Sequence, residues 1–373
     1  MQLFCVKPTV HCLDSFSEFV QVFSVGKDDL IFTETLMYEQ YMQKENLACK
    51  VILKDQYGLG EPREEVIDAI LQDLGHFRRI IAVGGGSVID IAKLLCVKDA
   101  YPIRHVMESR DAPVLDKELI VIPTTCGTGS EVTFGGIVTM RETGFKTGIL
   151  APELSATHAV LIPELLSTLP MSVFLHCSVD ALGHAMESYV SSTRGSEMVR
   201  AVGGRAIKLL TEGYAAMATE GVCARNRLMK TFLMASCLAG MAVNNGGAGP
   251  VHALAYPVGE TYHVSHGESI YLFLTAVFSF YERQGDGPLL EELRLLIRPS
   301  LQRAGVYTGH VFDDLECLLN KLYPARSLTA CGMGEADVAP FVENIFQAKQ
   351  RLLQASYIPF TREAASAVYR EKL

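Results

Sequence analysis

Hydrophobic and polar residues follow two different patterns along the chain. In its first part, short runs rich in β-branched residues are separated by helical patterns, which predicts a mostly parallel sheet covered by helices. The runs that we predict to be strands are 29–33, 50–53, 79–83, 118–122 and 159–162. This part of the chain therefore has the pattern of an α/β domain.

From Pro163 onward, hydrophobic residues recur at helical spacing over long segments, which predicts an all-α region. The predicted helices span 171–191, 198–219, 224–245, 267–283 and 337–354. A chain of 373 residues is longer than one hydrophobic core normally spans, so two domains are expected. We place an α/β domain at residues 1–162 and a helical domain at residues 163–373.

Composition and charge narrow the possible partners and location. The ten cysteines are scattered without a CxxC pair, which is typical of reduced thiols in the cytoplasm. The chain begins without a signal-peptide pattern and has no long apolar run, so we expect a cytoplasmic protein without a membrane partner. The net charge is −9 and tryptophan is absent, so we expect no nucleic-acid partner.

Two pairs of residues in the helical region have the chemistry of metal ligands. Asp180 and His184 are four residues apart, so a helix places both side chains on one face. His252 and His266 are separated by Pro257 and Gly259, which we expect to end any helix there and let the chain fold back.

Three imidazoles and one carboxylate suit a divalent transition metal better than calcium or magnesium. Thiolates typical of structural zinc sites are missing from this set. Ferrous iron (Fe2+) or zinc (Zn2+) is the expected ion. Ordinary polar residues on helices would give the same spacing, so the pattern alone leaves that alternative open.

A glycine-rich turn follows the predicted strand 79–83 and opens a helix. Glycines let the backbone approach a ligand, and the start of the helix offers free N–H groups, so the turn suits a pyrophosphate. The candidate cofactor-binding residues here are Gly84, Gly85, Gly86, Ser87 and Asp90. The turn lacks the usual GxGxxG spacing because Ile89 stands where the third glycine would be, and a tight turn without a ligand remains an alternative.

A second loop, rich in hydroxyl side chains, follows the predicted strand 118–122. Such side chains suit phosphate, ribose or a nicotinamide amide, although a loop that merely caps a helix is the alternative. The candidates are Thr124, Thr125, Thr128 and Ser130. Glu34, just after the strand 29–33, suits an adenosine ribose and therefore NAD rather than NADP. Lys146 is a further candidate for a cofactor phosphate.

Several of these segments together resemble one enzyme family. The segments Ala82–Lys93, Pro123–Glu131 and Asp180–His184, with His252 and His266, are similar to the iron-containing (group III) alcohol dehydrogenases. The resemblance implies an N-terminal dinucleotide-binding α/β domain and a C-terminal helical domain, as in dehydroquinate synthase and glycerol dehydrogenase. It also implies NAD as cofactor, the four metal ligands named above, and a homodimer.

Further segments are similar to family members that act on 4-hydroxybutyrate. They are Tyr57–Pro62, Val132–Thr133, Ser178–Asp180, Val251–Pro257 and Tyr262–Glu268. The resemblance implies metal-assisted hydride transfer between NAD and a small hydroxy acid, interconverting 4-hydroxybutyrate and succinic semialdehyde.

The chain departs from many family members at Tyr256, where they carry a second histidine credited with proton transfer. His263 and Tyr256 are therefore our candidates for the catalytic proton relay, and His263 is preferred because its ordinary pKa suits neutral pH. We expect His176 to pack or to support the ligands. Asn244 and Asn245 are candidates for binding the substrate carboxylate.

Three alternative functions remain open at this point. One is a dehydrogenase of the same family acting on a neutral alcohol such as butanol or 1,3-propanediol. Another is a metal-dependent lyase of the dehydroquinate synthase type, for which a basic cluster is missing. The third is a metal or nucleotide sensor without turnover.

Overall fold

The computed structural model describes residues 3–144, 146–285 and 287–373. The chain divides into two compact units. One unit is Val6–Thr168, and the other joins the N-terminal residues up to Cys5 to Leu169–Leu373. The boundary thus lies between Thr168 and Leu169, close to the change of pattern that we read from the sequence after residue 162.

The Val6–Thr168 unit is built on a parallel sheet. Its strands are β1 (Thr9–Cys12), β2 (Asp29–Thr33), β3 (Lys50–Leu53), β4 (Arg79–Gly84), β5 (Glu118–Pro123), β6 (Gly135–Thr139), β7 (Lys146–Leu150) and β8 (His158–Leu161). Six of them pair in parallel in the order β1-β8-β5-β4-β2-β3, and β6 and β7 form a separate antiparallel pair. The five predicted strands are confirmed, whereas β1, β6 and β7 were missed.

Hydrophobic residues of the central strands form the core of this unit. Ile31, Ile81 and Ile120 are register partners on neighbouring strands and are fully buried. They belong to the same buried cluster as Phe16 and Phe19. Burial on both faces explains why these strands appear in the sequence as short continuous apolar runs. The helices of this unit are α1 (Phe16–Val22), α2 (Thr35–Met37), α3 (Glu64–Asp73), α4 (Gly86–Leu95) and α5 (Ile103–Glu108).

In the described residues of Leu169–Leu373, every regular secondary-structure element is a helix. Its helices are α6 (Met171–Val190), α7 (Glu197–Glu220), α8 (Arg225–Gly246), α9 (Pro250–Tyr262), α10 (His266–Gln284), α11 (Pro288–Arg303), α12 (Val311–Leu322), α13 (Glu335–Ala348), α14 (Gln350–Gln354) and α15 (Arg362–Lys372). The predicted fold class, a mostly parallel α/β unit followed by a helical unit, is confirmed. The predicted helix 337–354 is two helices that meet at Lys349.

The prediction that Pro257 and Gly259 end a helix is wrong. Helix α9 runs through both residues to Tyr262, and the chain reverses only at residues 263–265. A proline inside a helix costs about 3 kcal/mol. Val251, Leu254 and Val258 of α9 are fully buried, and burial of each such side chain contributes about 1.5–3 kcal/mol, which offsets that cost.

Two smaller findings bear on the expectations about thiols and membranes. All ten cysteines, each within the described ranges, are free thiols. Across residues 3–144, 146–285 and 287–373, every helix is too short or too polar to cross a bilayer.

Candidate metal centre

Four side chains of the helical unit converge on one point. Asp180 and His184 lie one helical turn apart on α6, and Asp180 Oδ1 is 3.8 Å from His184 Nε2. The same oxygen is 3.5 Å from His252 Nε2 on α9 and 3.5 Å from His266 Nε2 at the start of α10. One ligand atom from each of the four residues lies within 4.8 Å of all the others. The sequence-predicted quartet is therefore brought together by three helices.

The cluster contains buried polar atoms that lack partners. Among the described residues, Asp180 Oδ1, His184 Nδ1 and His252 Nε2 are inaccessible to solvent and have no hydrogen-bond partner. Leaving such groups unpaired is costly, since each loses its hydration without compensation. A divalent cation bound at the centre of the cluster would satisfy Asp180 Oδ1 and His252 Nε2, and imidazole and carboxylate are ligands for iron and zinc. The residues present thus fit a transition metal.

The charges of the cluster favour an ionised acid and one neutral imidazole. Burial alone would raise the pKa of Asp180, but the neighbouring histidines lower it below its usual range. Burial lowers the pKa of His184 to about 4, so its ring is neutral at pH 7. Burial also opposes the charged form of His252, but Glu187 and Asp180 raise its pKa to about 9 in the absence of an ion.

Glu187 is a functional candidate that the sequence analysis missed. It lies on α6, and its Oε2 is 2.5 Å from His252 Nδ1 while its Oε1 accepts a hydrogen bond of 2.6 Å from the Val251 amide. A carboxylate bound to one ring nitrogen of a ligating histidine orients the ring and directs the other nitrogen toward the metal. Glu187 lies seven residues after Asp180 and therefore on the same helix face, and this spacing could have indicated its role from the sequence.

Replacing Glu187 with glutamine is expected to weaken metal binding by about 10- to 100-fold, the usual effect of removing such a partner. The glutamine side chain cannot accept from both the Val251 amide and His252 without turning its NH2 group toward one of the two donors. The affinity for Zn2+ would be measured by competition with a chelator. Glu197→Gln, at an exposed side chain on α7, is the control, and equal affinity in the two variants would contradict this role for Glu187.

The structure separates the two candidates for the proton relay. Tyr256 lies four residues after His252 on α9, and its ring centroid is 5.9 Å from that of His266. His263 is an exposed residue in the left-handed conformation, φ 54°, that ends α9. His176 packs against the rings of Tyr271 and Tyr323, in agreement with the packing role expected of it.

Asn245 is already engaged elsewhere in the fold. Its amide nitrogen donates to the carbonyl groups of Cys5 and Met241, and its Oδ1 accepts from the Cys5 amide. These bonds tie the N-terminal segment to α8. The side chain is therefore occupied, and the guess that it binds a substrate carboxylate is not supported.

The cofactor-binding candidates gather at one edge of the parallel sheet. Strands β2, β4 and β5 are neighbours, and Glu34, Gly85 and Thr124 directly follow their carboxyl ends. The Thr124 amide donates to the Gly84 carbonyl at 3.0 Å, which joins the two loops. Ligands of open α/β sheets bind at this edge.

The two loops pack closely against each other at their glycines. A Cβ at Gly86 would lie 2.8 Å from Thr128 Cγ2, and one at Gly85 would lie 3.5 Å from Thr125 Cγ2. Gly85 and Gly86 begin α4, so with Ser87 they present the amide N–H groups of its first turn. The arrangement leaves backbone donors at the sheet edge, where a phosphate can be held.

Asp90 and Ser130 are joined by a buried lysine. Lys93 is completely buried, and its Nζ lies 3.3 Å from Asp90 Oδ1, 3.2 Å from Ser130 Oγ and 2.8 Å from the Gly135 carbonyl. Ser130 Oγ also donates to Asp90. These side chains therefore hold α4 and the hydroxyl-rich loop together.

Replacing Lys93 with methionine is expected to lower the free energy of unfolding by about 3–5 kcal/mol, because it leaves Asp90 without its buried partner. Urea unfolding followed by circular dichroism measures this effect. Lys98→Met, at an exposed lysine just beyond α4, is the control. A loss no larger than that of the control would show that the network does not stabilise the unit.

The remaining two candidates are paired with nearby charges. Glu34 is about half exposed and lies 3.8 Å from Lys54 Nζ. Lys146 Nζ lies 2.7 Å from Glu61 Oε2. Both side chains thus have partners within the unit, and a cofactor that uses them would have to share or displace those contacts.

Two family models match most of the chain. The model described as iron-containing alcohol dehydrogenase covers residues 10–163, and its C-terminal counterpart covers residues 174–373. The 4-hydroxybutyrate dehydrogenase of Clostridium kluyveri is 40% identical over 377 residues, which is 100% of both chains. Long-chain-alcohol dehydrogenase 1 of Geobacillus thermodenitrificans is 30% identical over 79% of this chain and 75% of that protein.

Solved structures with the same fold are more distant in sequence. Sulfoacetaldehyde reductase from Bifidobacterium kashiwanohense, in complex with NAD+, has a TM-score of 0.84 at 19% identity, over 100% of this chain and 99% of that one. A 1,3-propanediol oxidoreductase has a TM-score of 0.82 at 20% identity, over 100% of both chains. These likenesses show the fold, and the matched family models confirm the resemblance found in the sequence. This chain belongs to the iron-containing alcohol dehydrogenase family and is an alcohol dehydrogenase.

Proposed function

We propose that this enzyme interconverts 4-hydroxybutyrate and succinic semialdehyde, with NAD as the hydride carrier. The observation that carries the proposal is the 40% identity, over the full length of both chains, to a protein named 4-hydroxybutyrate dehydrogenase. The convergence of Asp180, His184, His252 and His266 supports a metal-dependent reaction on an oxygen-bearing carbon.

In this proposal the four side chains hold one Fe2+ or Zn2+ ion. When bound, such an ion supplies Lewis acidity toward a carbonyl or hydroxyl oxygen. Asp180 contributes the negative charge, His184 a neutral ring, and Glu187 fixes the orientation of His252. Because three ligands are buried and the His266 side chain is 31% exposed, a substrate would approach from the side of His266.

The edge of the parallel sheet is the proposed site for NAD, which would carry the hydride. Gly84, Gly85, Gly86 and Ser87 offer the backbone donors for its phosphates, and Thr124, Thr125 and Thr128 line the adjoining loop. In this proposal Glu34 accepts a hydrogen bond from a ribose hydroxyl and disfavours the phosphate of NADP. Asp90 and Ser130 would shape this loop through Lys93, and Lys146 remains a proposed phosphate contact.

The proposed proton relay is Tyr256 or His263. The position of the Tyr256 ring beside His266 supports Tyr256, whereas His263 lies exposed in the turn after α9. A cytoplasmic location and a homodimer stay part of the proposal, and light scattering after gel filtration tests the second of these.

An assay of NADH oxidation with matched four-carbon aldehydes tests the proposed substrate. We expect kcat/KM for succinic semialdehyde to exceed that for butanal by at least about tenfold, because a charged hydrogen bond contributes about 1.5–3 kcal/mol. The enzyme would be loaded anaerobically with Fe2+, and NADPH would be compared with NADH. Equal rates with the two aldehydes, or a preference for butanal, would instead assign the enzyme to neutral alcohols.

A further inference from the structure

We propose that Lys349 binds the carboxylate of the substrate and thereby makes the enzyme selective for a hydroxy acid over a neutral alcohol. This inference rests on the proposed function, because it assumes a substrate with a carboxylate at one end and a hydroxyl or aldehyde at the other. Lys349 is not one of the four residues of the metal cluster and lies far from them along the chain. We assign it a role in substrate specificity.

Lys349 occupies the junction between α13 and α14 in the helical unit. Its amide donates to the Ile345 carbonyl at 2.9 Å, which closes the end of α13. Its side chain is half-buried, and Nζ lies 4.5 Å from the centroid of the Tyr256 ring. A cation at this distance from an aromatic face is attracted by the ring, which holds the ammonium group in one place.

The Tyr256 ring connects Lys349 to the metal centre. Residues four apart on a helix share one face, so Tyr256 lies on the side of α9 that carries His252. The ring centroids of Tyr256 and His266 are 5.9 Å apart, with an angle of 30° between the planes. The Tyr256 ring therefore lies near both the Lys349 ammonium and His266, a member of the four-residue cluster.

Lys349 differs from several cations of the C-terminal helices in having no acidic partner among the described residues. In the described part of the chain, Arg362 pairs with Glu343, Arg370 with Glu335, and Lys372 with Glu316. Over the same residues, no carboxylate forms an ion pair with Lys349. A half-buried ammonium whose contact is an aromatic face retains its donors for a ligand, and it forms charge-assisted hydrogen bonds with a carboxylate.

The proposed substrate is long enough to reach beyond the cluster. Five covalent bonds of about 1.5 Å join the oxygen at carbon 4 to a carboxylate oxygen, so the extended molecule reaches about 6 Å. In this proposal its oxygen lies at the cluster and its carboxylate extends past the Tyr256 ring toward Lys349. Butanal has the same four carbons and no charge, so it gains nothing from this contact.

The identity of residue 256 agrees with this role. A histidine at this position would present a ring that becomes positively charged on protonation and would then repel the ammonium group. Tyrosine keeps an aromatic face without a positive charge, so it can hold the Lys349 ammonium by a cation–π contact.

Lys349→Met tests the proposal in the metal-loaded enzyme with NADH. We expect kcat/KM for succinic semialdehyde to fall by about 10- to 150-fold, mostly through a higher KM, because a hydrogen bond to a charged group is lost. The kcat/KM for butanal and the KM for NADH should stay within about twofold of the wild-type values, because a substitution that removes no contact to these molecules usually has a small effect. Lys349→Arg should restore part of the preference. Calorimetry should show weaker binding of butyrate, a substrate fragment that cannot react.

The control is Arg351→Met, which removes an exposed cation two residues further along and tests for a general effect of positive charge. Tyr256→Phe keeps the ring and should keep the ratio of the two aldehydes even if turnover falls. If Lys349→Met retains the wild-type preference, if Arg351→Met loses it equally, or if the KM for NADH rises instead, the assignment of Lys349 is wrong. A wild-type enzyme without any preference for succinic semialdehyde would instead refute the proposed function itself.

Discussion

Replacing His252 with alanine is expected to lower kcat/KM for succinic semialdehyde by about a thousandfold and to leave the purified protein with almost no bound metal. The ring is one of four groups that converge within 4.8 Å, and its removal leaves Asp180, His184 and His266 as an incomplete set. A thousandfold loss corresponds to about 4 kcal/mol of transition-state stabilisation. A metal ion typically supplies several kcal/mol of such stabilisation, so a loss of this size is expected when the ion is absent. Elemental analysis and an NADH-linked assay measure the two effects.

The matched control is His176→Ala, which removes a histidine one helical turn before Asp180 on α6. His176 contacts the rings of Tyr271 and Tyr323 and is outside the cluster, so metal content and turnover should persist. His266→Ala provides a second test, because its side chain is 31% exposed and its loss should disturb the fold least. Full metal content and activity in His252→Ala would remove this histidine from the centre.

Removing the metal with a chelator is expected to abolish turnover and to lower the thermal stability of the helical unit. Bound at a thousandfold excess over its Kd, a ligand stabilises the native state by about 4 kcal/mol. For a unit of this size that corresponds to a fall in Tm of about 10 °C when the ion is withdrawn. The structural reason is that Asp180 Oδ1 and His252 Nε2 are buried without other hydrogen-bond partners among the described residues.

Calorimetry of the chelated and the Fe2+-reconstituted protein tests this expectation. Added Fe2+ should restore both Tm and activity in the wild type but not in His252→Ala, which serves as the internal control. Zn2+ is expected to restore Tm at lower concentrations than Fe2+, since nitrogen and oxygen ligands bind zinc more tightly. Full activity after complete removal of metal would show that the reaction does not depend on the cluster.

The candidate site was only partly predictable from local sequence. The i, i+4 spacing of Asp180 and His184 determined their common face, because a helix repeats every 3.6 residues whatever surrounds it. By contrast, the helix after His252 was predicted to end too early, although the chain does fold back and bring His266 to the cluster. The local signals of Pro257 and Gly259 were outweighed by burial of α9, and the reversal occurs instead at the left-handed residue His263.

Other contacts depended on elements far apart in the chain. Glu187 reaches His252 across a separation of 65 residues, and Lys349 reaches Tyr256 from the junction of α13 and α14. A carboxylate on a helix and a lysine between helices are common in any sequence, so local sequence does not indicate the role of either residue. Strand β1 likewise pairs with β8, the last strand of the sheet along the chain.

The sequence by itself determined the alternation of buried strands and helices, the glycine and threonine loops after β4 and β5, and the residue types able to bind a metal. These features depend on local periodicity and on side-chain chemistry, which do not require distant parts of the chain. The tertiary structure decided which atoms meet: Asp180 with three histidines, Glu187 with His252, and Lys349 with Tyr256. Such meetings follow from helix packing, which sums many weak contacts over the whole unit and cannot be read from any one segment.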